Sequence, residues 1–289
     1  MSDSVLVSTV WLAAHLDDPL VRIVDIRGHV VPASEPLPHY YNHHEDYLRS
    51  HIPGAVFVDW VHEITDPADP RHAQIAPPER FETVMRRIGL NPDMTVIAYD
   101  DAGGMFGARL WWALHYYGHE QVKVLDGGWT HWSRQNLPVT DVIPQYPTGT
   151  FEAHPISSWF RSGAEVLKKL HTSTQLVDMR SVEEFEGKSS RASRSGHIPG
   201  AVNQPRADLV SPDGSLLSPE ALRSKFADLG VNNDSPEVIF YCNGGVSASF
   251  GLLAMRAAGI TAPAATYDGS WKDWGNDPSK PIEVPVRER

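Results

Sequence analysis

Short apolar runs of strand length alternate with stretches of helical spacing along this chain. In the C-terminal half, QLVDM (175–179), EVIFY (237–241) and AATYD (264–268) predict strands. SGAEVLKKL (162–170), SPEALRSKFADLG (218–230) and VSASFGLLAMRAAG (246–259) carry apolar residues at helical spacing. Ser218 followed by Pro219 and Glu220 reads as an N-cap with proline in the first turn. Gly230 and Gly259 stand where helices should end. Strands alternating with helices predict an α/β fold with a mainly parallel sheet covered by helices on both faces.

The pattern occurs twice. RIVDIRG (22–28) is echoed by QLVDMRS (175–181), and RSHIPGAV (49–56) by RSGHIPGAV (194–202). TVIAYDDAGG (95–104) returns as EVIFYCNGG (237–245), and VLDGGWTHW (124–132) as TYDGSWKDW (266–274). The four pairs keep one order, with offsets between 142 and 153 residues. Chance matches would not, so the chain is read as two copies of one domain. The expected boundaries are 1–140 and 156–289, joined by an extended linker over 141–155 in a proline-rich stretch without helical period.

Composition narrows the function classes. The chain has 289 residues and a net charge of −11, from 25 Lys+Arg against 36 Asp+Glu. That balance disfavours nucleic acid and anionic membranes as partners. A small anionic substrate would need a local positive site against the overall field. No apolar run approaches the roughly 20 residues of a membrane helix, and the first residues lack the basic start of a secretory signal. One cysteine in the whole chain excludes an internal disulfide, which suits the cytoplasm.

That cysteine, Cys242, lies one residue past the VIFY run and ahead of a helix. In open parallel sheets, ligands sit beyond the carboxyl ends of strands. A loop entering a helix N-terminus presents unpaired backbone N–H groups. Gly244 and Gly245 permit the positive dihedrals that curl such groups into a nest. A thiol at its rim is expected to ionise more readily, and thiolate is the nucleophile. Ser247 adds a hydroxyl donor. The matching residue in the first copy is Asp100, so that copy has no thiol. Two reaction classes use a cysteine in a nest. A cysteine phosphatase needs arginine six residues on to hold the phosphoryl group, and Ala248 stands there. Sulfur transfer through a persulfide needs an anion-stabilising nest but no arginine at that position.

The tandem repeat, both HIPGAV segments, VLDGGWTHW, YDGSW and the loop CNGGVS resemble the two-domain rhodanese-type sulfurtransferases. That family includes enzymes using thiosulfate or 3-mercaptopyruvate. The resemblance spans nearly the whole chain. It implies two rhodanese-type α/β domains, a catalytic Cys242 in the second only, and an active site in the cleft between them. Asn243, Gly244, Gly245, Val246 and Ser247 would cradle the sulfur. It implies a small anionic donor, cyanide or a thioredoxin-like thiol as acceptor, and no metal or organic cofactor. Two departures stand out. The loop carries neither the lysine of the thiosulfate type nor the serine of the mercaptopyruvate type. Glu184 also occupies a place that often holds arginine. Arg191, with Arg194 as its competitor, would then bind the donor. A degenerate domain pair that binds a partner protein is the reading from another class; Asp100 is compatible with it and Cys242 argues against it.

Other features read as structural. The histidines of HYYNHHEDYLRSH (39–51) suit a solvated loop better than a metal site. His51 and His197 open the repeated HIPGA and suit a turn. DAGGMFG (101–107) has alanine where a dinucleotide fingerprint needs its first glycine. The matched pairs Trp129/Trp132 and Trp271/Trp274 suit packing, and Asp25/Arg27 with Asp178/Arg180 suit fold-stabilising ion pairs.

Overall fold

A computed structural model describes residues 4–32, 35–36, 38–71 and 73–284. They divide into two units that are not contiguous in sequence. Unit 1 comprises Met1–Ala68, Ile75–Ile156 and Val210–Leu216; unit 2 comprises Asp69–Gln74, Ser157–Leu209 and Leu217–Arg289. Asp69–Gln74 thus belongs with the second copy, and Val210–Leu216 with the first.

Unit 1 runs β1 (Leu6–Val7), α1 (Thr9–Ala13), β2 (Val21–Asp25), β3 (Gly28–Val30), β4 (Tyr40–Asn42), α2 (His44–Arg49), β5 (Val56–Phe57), α3 (Pro78–Arg87), β6 (Thr95–Tyr99), α4 (Met105–Tyr116), β7 (Val122–Leu125) and α5 (Gly128–Arg134). Unit 2 runs β8 (Phe160–Arg161), α6 (Gly163–Lys169), β9 (Gln175–Asp178), α7 (Val182–Phe185), β10 (Val202–Asn203), α8 (Pro219–Asp228), β11 (Val238–Tyr241), α9 (Val246–Ala257), β12 (Ala264–Tyr267) and α10 (Ser270–Trp274). The sheets have orders β1-β7-β6-β2-β5 and β8-β12-β11-β9-β10, parallel throughout. They are the same sheet twice. Every residue of β11 is buried, as a parallel strand covered on both faces requires.

Local chemistry explains the helix starts. The Ser218 hydroxyl accepts from Ala221 N–H at 3.3 Å, with Pro219 opening α8. Ser162 with Glu165 and Ser181 with Glu184 form capping boxes at α6 and α7. Gly230 and Gly259 take positive φ, 73° and 77°, just beyond α8 and α9.

The repeated motifs are the framework of each core. Arg27 pairs with Asp25 and lies 4.4 Å over the Trp129 ring; Arg180 pairs with Asp178 and lies 4.5 Å over Trp271. Both ion pairs are buried; Arg27 and Arg180 also donate to Ser50 O and Gly196 O, and the Tyr99 hydroxyl donates to Asp25. Trp132 Nε1 donates to Pro138 and Trp274 Nε1 to Pro281. His51 and His197 are buried, bridge to Thr140 and Glu283 respectively, and stack on Tyr47 and Phe185. Phe106 packs inside unit 1 against Trp60 at 4.4 Å. Among the described residues no helix is long and apolar enough to cross a membrane.

Candidate active site

Strand β11 ends at Tyr241, so Cys242 stands at its carboxyl end, and the chain turns through Asn243, Gly244 and Gly245 into α9. Gly245 takes φ 84° as the N-cap, but Gly244 does not adopt a positive φ. The turn therefore needs one left-handed glycine, not the two expected. Val246 and Ser247 form the first turn of α9, where N–H groups lack intrahelical acceptors. Cys242 is 4% exposed.

The first copy shows what this loop architecture holds. Asp100 follows β6 as Cys242 follows β11, and its carboxylate lies inside the turn. One oxygen accepts from Ala102 and Gly104 N–H at 2.8 and 2.9 Å; the other accepts from Phe106 and Gly107 N–H at 2.7 and 2.8 Å. Four converging N–H groups make an anion cradle, filled in unit 1 by the chain's own carboxylate. In unit 2 the side chain at that strand end is a short thiol.

Ser270 organises the loop around Cys242. Its buried Oγ accepts from Cys242 N–H at 3.0 Å and Gly245 N–H at 3.2 Å, and donates to Tyr267 O at 2.7 Å. The next two residues continue the clasp: Trp271 N–H donates to Cys242 O at 2.9 Å and Lys272 N–H to Asn243 O at 3.0 Å. The first copy has Gly128 where Ser270 stands; a Cβ there would fall 2.2 Å from Asp100 O.

The two candidate arginines part company. Arg194 donates from Nε to Gly275 O at 3.1 Å, from Nη1 to Lys280 O at 2.9 Å, and from Nη2 to Trp274 O at 2.9 Å and to Asp277 O. It ties the end of α10 to the chain that follows, and of the two arginines offered for the donor it is the one whose donors meet backbone carbonyls. Arg191, with its side chain 13% exposed, instead lines a cleft of about 420 Å³ within unit 2, beside Arg71, Lys272, Asp273, Asn276 and Asp277. Burial, with the Arg191 charge, pushes the Lys272 ammonium down to about 8, while a charge on Cys242 would raise it.

Both sequence repeats match the model of the rhodanese-like domain, over residues 8–135 and 162–277. The chain belongs to the rhodanese family. The 3-mercaptopyruvate sulfurtransferase of Escherichia coli K12 is 35% identical over 99% of this chain and 100% of its own length. The sulfur carrier protein TtuD of Thermus thermophilus is 32% identical, covering 96% of both. Among solved structures, SseA from Escherichia coli, described as a 3-mercaptopyruvate sulfotransferase with the rhodanese fold, superposes with a TM-score of 0.81 at 33% identity, over 93% of this chain and 99% of that one. Within the rhodanese frame, the two departures seen in the sequence meet in space. Asn243 Nδ2 donates to Glu184 Oε1 at 2.8 Å, and Arg191 Nε lies 4.0 Å from the same oxygen. Glu184 thus joins the loop to Arg191.

Ser270 and Lys272 escaped sequence reasoning because they sit in YDGSWKDW, a segment whose repetition marks it as framework. The signal was in the differences between the copies: Gly128 and Thr130 replace them where Asp100 replaces Cys242.

Proposed function

We propose that this chain is a sulfurtransferase in which Cys242 is the nucleophile. With thiosulfate, the Cys242 thiolate attacks the outer sulfur. A new S–S bond forms, the donor's own S–S bond breaks, and sulfite leaves with that electron pair. With 3-mercaptopyruvate the attacked sulfur is the thiol sulfur. Its C–S bond breaks to the enolate of pyruvate, and the proton lost from the thiol ends on that carbon. Either way Cys242 carries a persulfide. Cyanide or a thiol acceptor of the thioredoxin kind then attacks the terminal sulfur, and the thiolate is released.

The observation that carries this reading is the paired loop: one fold position holds a carboxylate bound by four N–H groups in unit 1, and the lone cysteine in unit 2. In this reading Asn243 to Ser247 supply the cradle for the persulfide, held by Ser270 from behind, and Arg191 meets the anionic group of the donor. Relatives named for sulfur transfer at full length support it. A cytoplasmic setting, where thiols stay reduced, suits a protein whose one cysteine is the working group.

Steady-state turnover with thiosulfate or 3-mercaptopyruvate and cyanide tests it. Wild type should turn over at least one donor, and Cys242→Ser neither. A folded wild type inert towards every sulfane donor would favour the partner-binding module.

A further inference from the structure

The Cys242 loop is held by the turn that follows β12, through Ser270 Oγ and the Trp271 and Lys272 N–H groups. The segment Asp69–Gln74, which comes from the first sequence copy but belongs to unit 2, grips this turn at both ends. Gln74 Nε2 donates to Asp268 O at 3.2 Å, ahead of Ser270. Arg71 Nη1 donates to Asp273 Oδ1 at 3.0 Å, just after Lys272. Arg71 is itself held in a fork: its Nε meets the two Asp69 oxygens at 2.8 and 3.1 Å, and its Nη2 meets Asp69 as well. The other Asp273 oxygen accepts from Lys280 at 2.8 Å and from the Tyr267 hydroxyl. One oxygen is thus set by the second copy's own groups and the other by Arg71. Tyr267 also accepts from Ser270 Oγ through its carbonyl, at 2.7 Å, so Asp273 and Ser270 are tied to one residue.

Unit 1 repeats the device. Trp129 N–H donates to Asp100 O at 2.8 Å, as Trp271 N–H does to Cys242 O. Asp126 and His131 stand where unit 2 has Asp268 and Asp273. The segment Val210–Leu216, from the second sequence copy, meets both: Leu216 N–H donates to Asp126 Oδ1 at 2.9 Å, and Asp213 Oδ2 lies 3.2 Å from His131 Nε2. The atoms differ and the carboxylate sits on the opposite partner, yet the same two positions are gripped. A contact built twice from unrelated side chains points to a need of the turn itself.

We propose that Arg71 is a positioning residue for Cys242: it fixes Asp273, and with it the turn whose Ser270, Trp271 and Lys272 hold the cysteine's loop. The proposal rests on the sulfurtransferase reading above for the reaction it serves. The Arg71 side chain is 37% exposed, so its ion pair contributes little to global stability. What it contributes is the placement of the nucleophile, where a shift of about 1 Å can cost on the order of 100-fold in rate. Arg71 also lines the cleft that Arg191 lines. Were its charge to act on the donor instead, its loss would show in KM rather than in kcat.

The experiment compares wild type, Arg71→Met, Asp273→Asn and the double variant. It measures kcat and KM for thiosulfate and 3-mercaptopyruvate with cyanide, and amide hydrogen exchange in peptides covering 242–245 and 270–273. Arg71→Met should lower kcat about tenfold and leave KM within about twofold. It should speed exchange in those two peptides and leave α4 and α8 as in wild type. Adding Arg71→Met to Asp273→Asn should cost much less kcat than adding it to wild type, because the contact is already broken. Fully additive losses would overturn the proposal. So would a raised KM with kcat intact, or unchanged exchange in both peptides. If wild type turns over no sulfane donor, yet both peptides exchange faster in Arg71→Met, the sulfurtransferase reading fails while the clamp on the cysteine's loop stands.

Discussion

Ser270 is not glycine, yet it holds φ at 50°, a conformation that costs roughly 1–3 kcal/mol when surroundings enforce it. Its three hydrogen bonds to and from the Cys242 loop and β12 are what hold it there. Removing the hydroxyl in Ser270→Ala leaves two buried N–H groups without an acceptor, at about 1–3 kcal/mol each. The urea midpoint should fall, and iodoacetamide should alkylate Cys242 more slowly. Ser270→Gly relieves the dihedral but supplies no acceptor, so it should recover part of the stability and none of the alkylation rate. Wild-type alkylation rates in both variants would deny the hydroxyl a role in positioning the loop. At this scale the sequence was only partly legible. Cys242 stands out because it is unique. Arg191 and Arg194 lie three residues apart in one irregular segment, and nothing local separates them. What separates them is the set of carbonyls after α10, some 80 residues on, which takes Arg194 alone. The Asn243–Glu184 contact spans 59 residues and is equally invisible to local pattern.

Elements explain why the same turn serves two ends. Helices α4 and α9 each begin on a glycine in the left-handed region, Gly104 at φ 85° and Gly245 at φ 84°. In unit 1 the turn's N–H groups converge on the first residue after the strand, whereas in unit 2 the Cys242 and Gly245 N–H groups converge on Ser270 Oγ. In unit 1 the Asp100 carboxylate makes that turn part of the core. Asp100→Asn turns an amide N–H₂ against two of the four donors, so urea unfolding should show a loss of about 2–3 kcal/mol. An unchanged midpoint would mean that the carboxylate is not what holds the turn. The central strands and long helices follow the apolar pattern to within a residue or two: EVIFY is β11, and VSASFGLLAMRAAG is α9 with its closing glycine. The two-residue edge strands β8 and β10 could not be read, since so short a segment has no period and is defined only by the strand it pairs with.

Taken whole, the chain uses one sheet order twice and places its only thiol in one of the two units. The repeated motifs proved readable because repetition marks what the fold itself needs: buried Asp–Arg pairs, tryptophans over the arginines, and histidines in the HIPGA turn. The chain's exchange of short segments was not readable. Asp69–Gln74 and Val210–Leu216 are polar stretches whose attachment depends on distant partners, as with Arg71 on Asp273 and Leu216 on Asp126. The central claim is that a single cysteine carries sulfur for the whole molecule, and intact mass spectrometry after incubation with donor tests it most directly. Wild type should gain the mass of one sulfur atom per chain, removable by cyanide, and Cys242→Ser should gain none. The same gain in Cys242→Ser, or no gain in wild type with any sulfane donor, would contradict it.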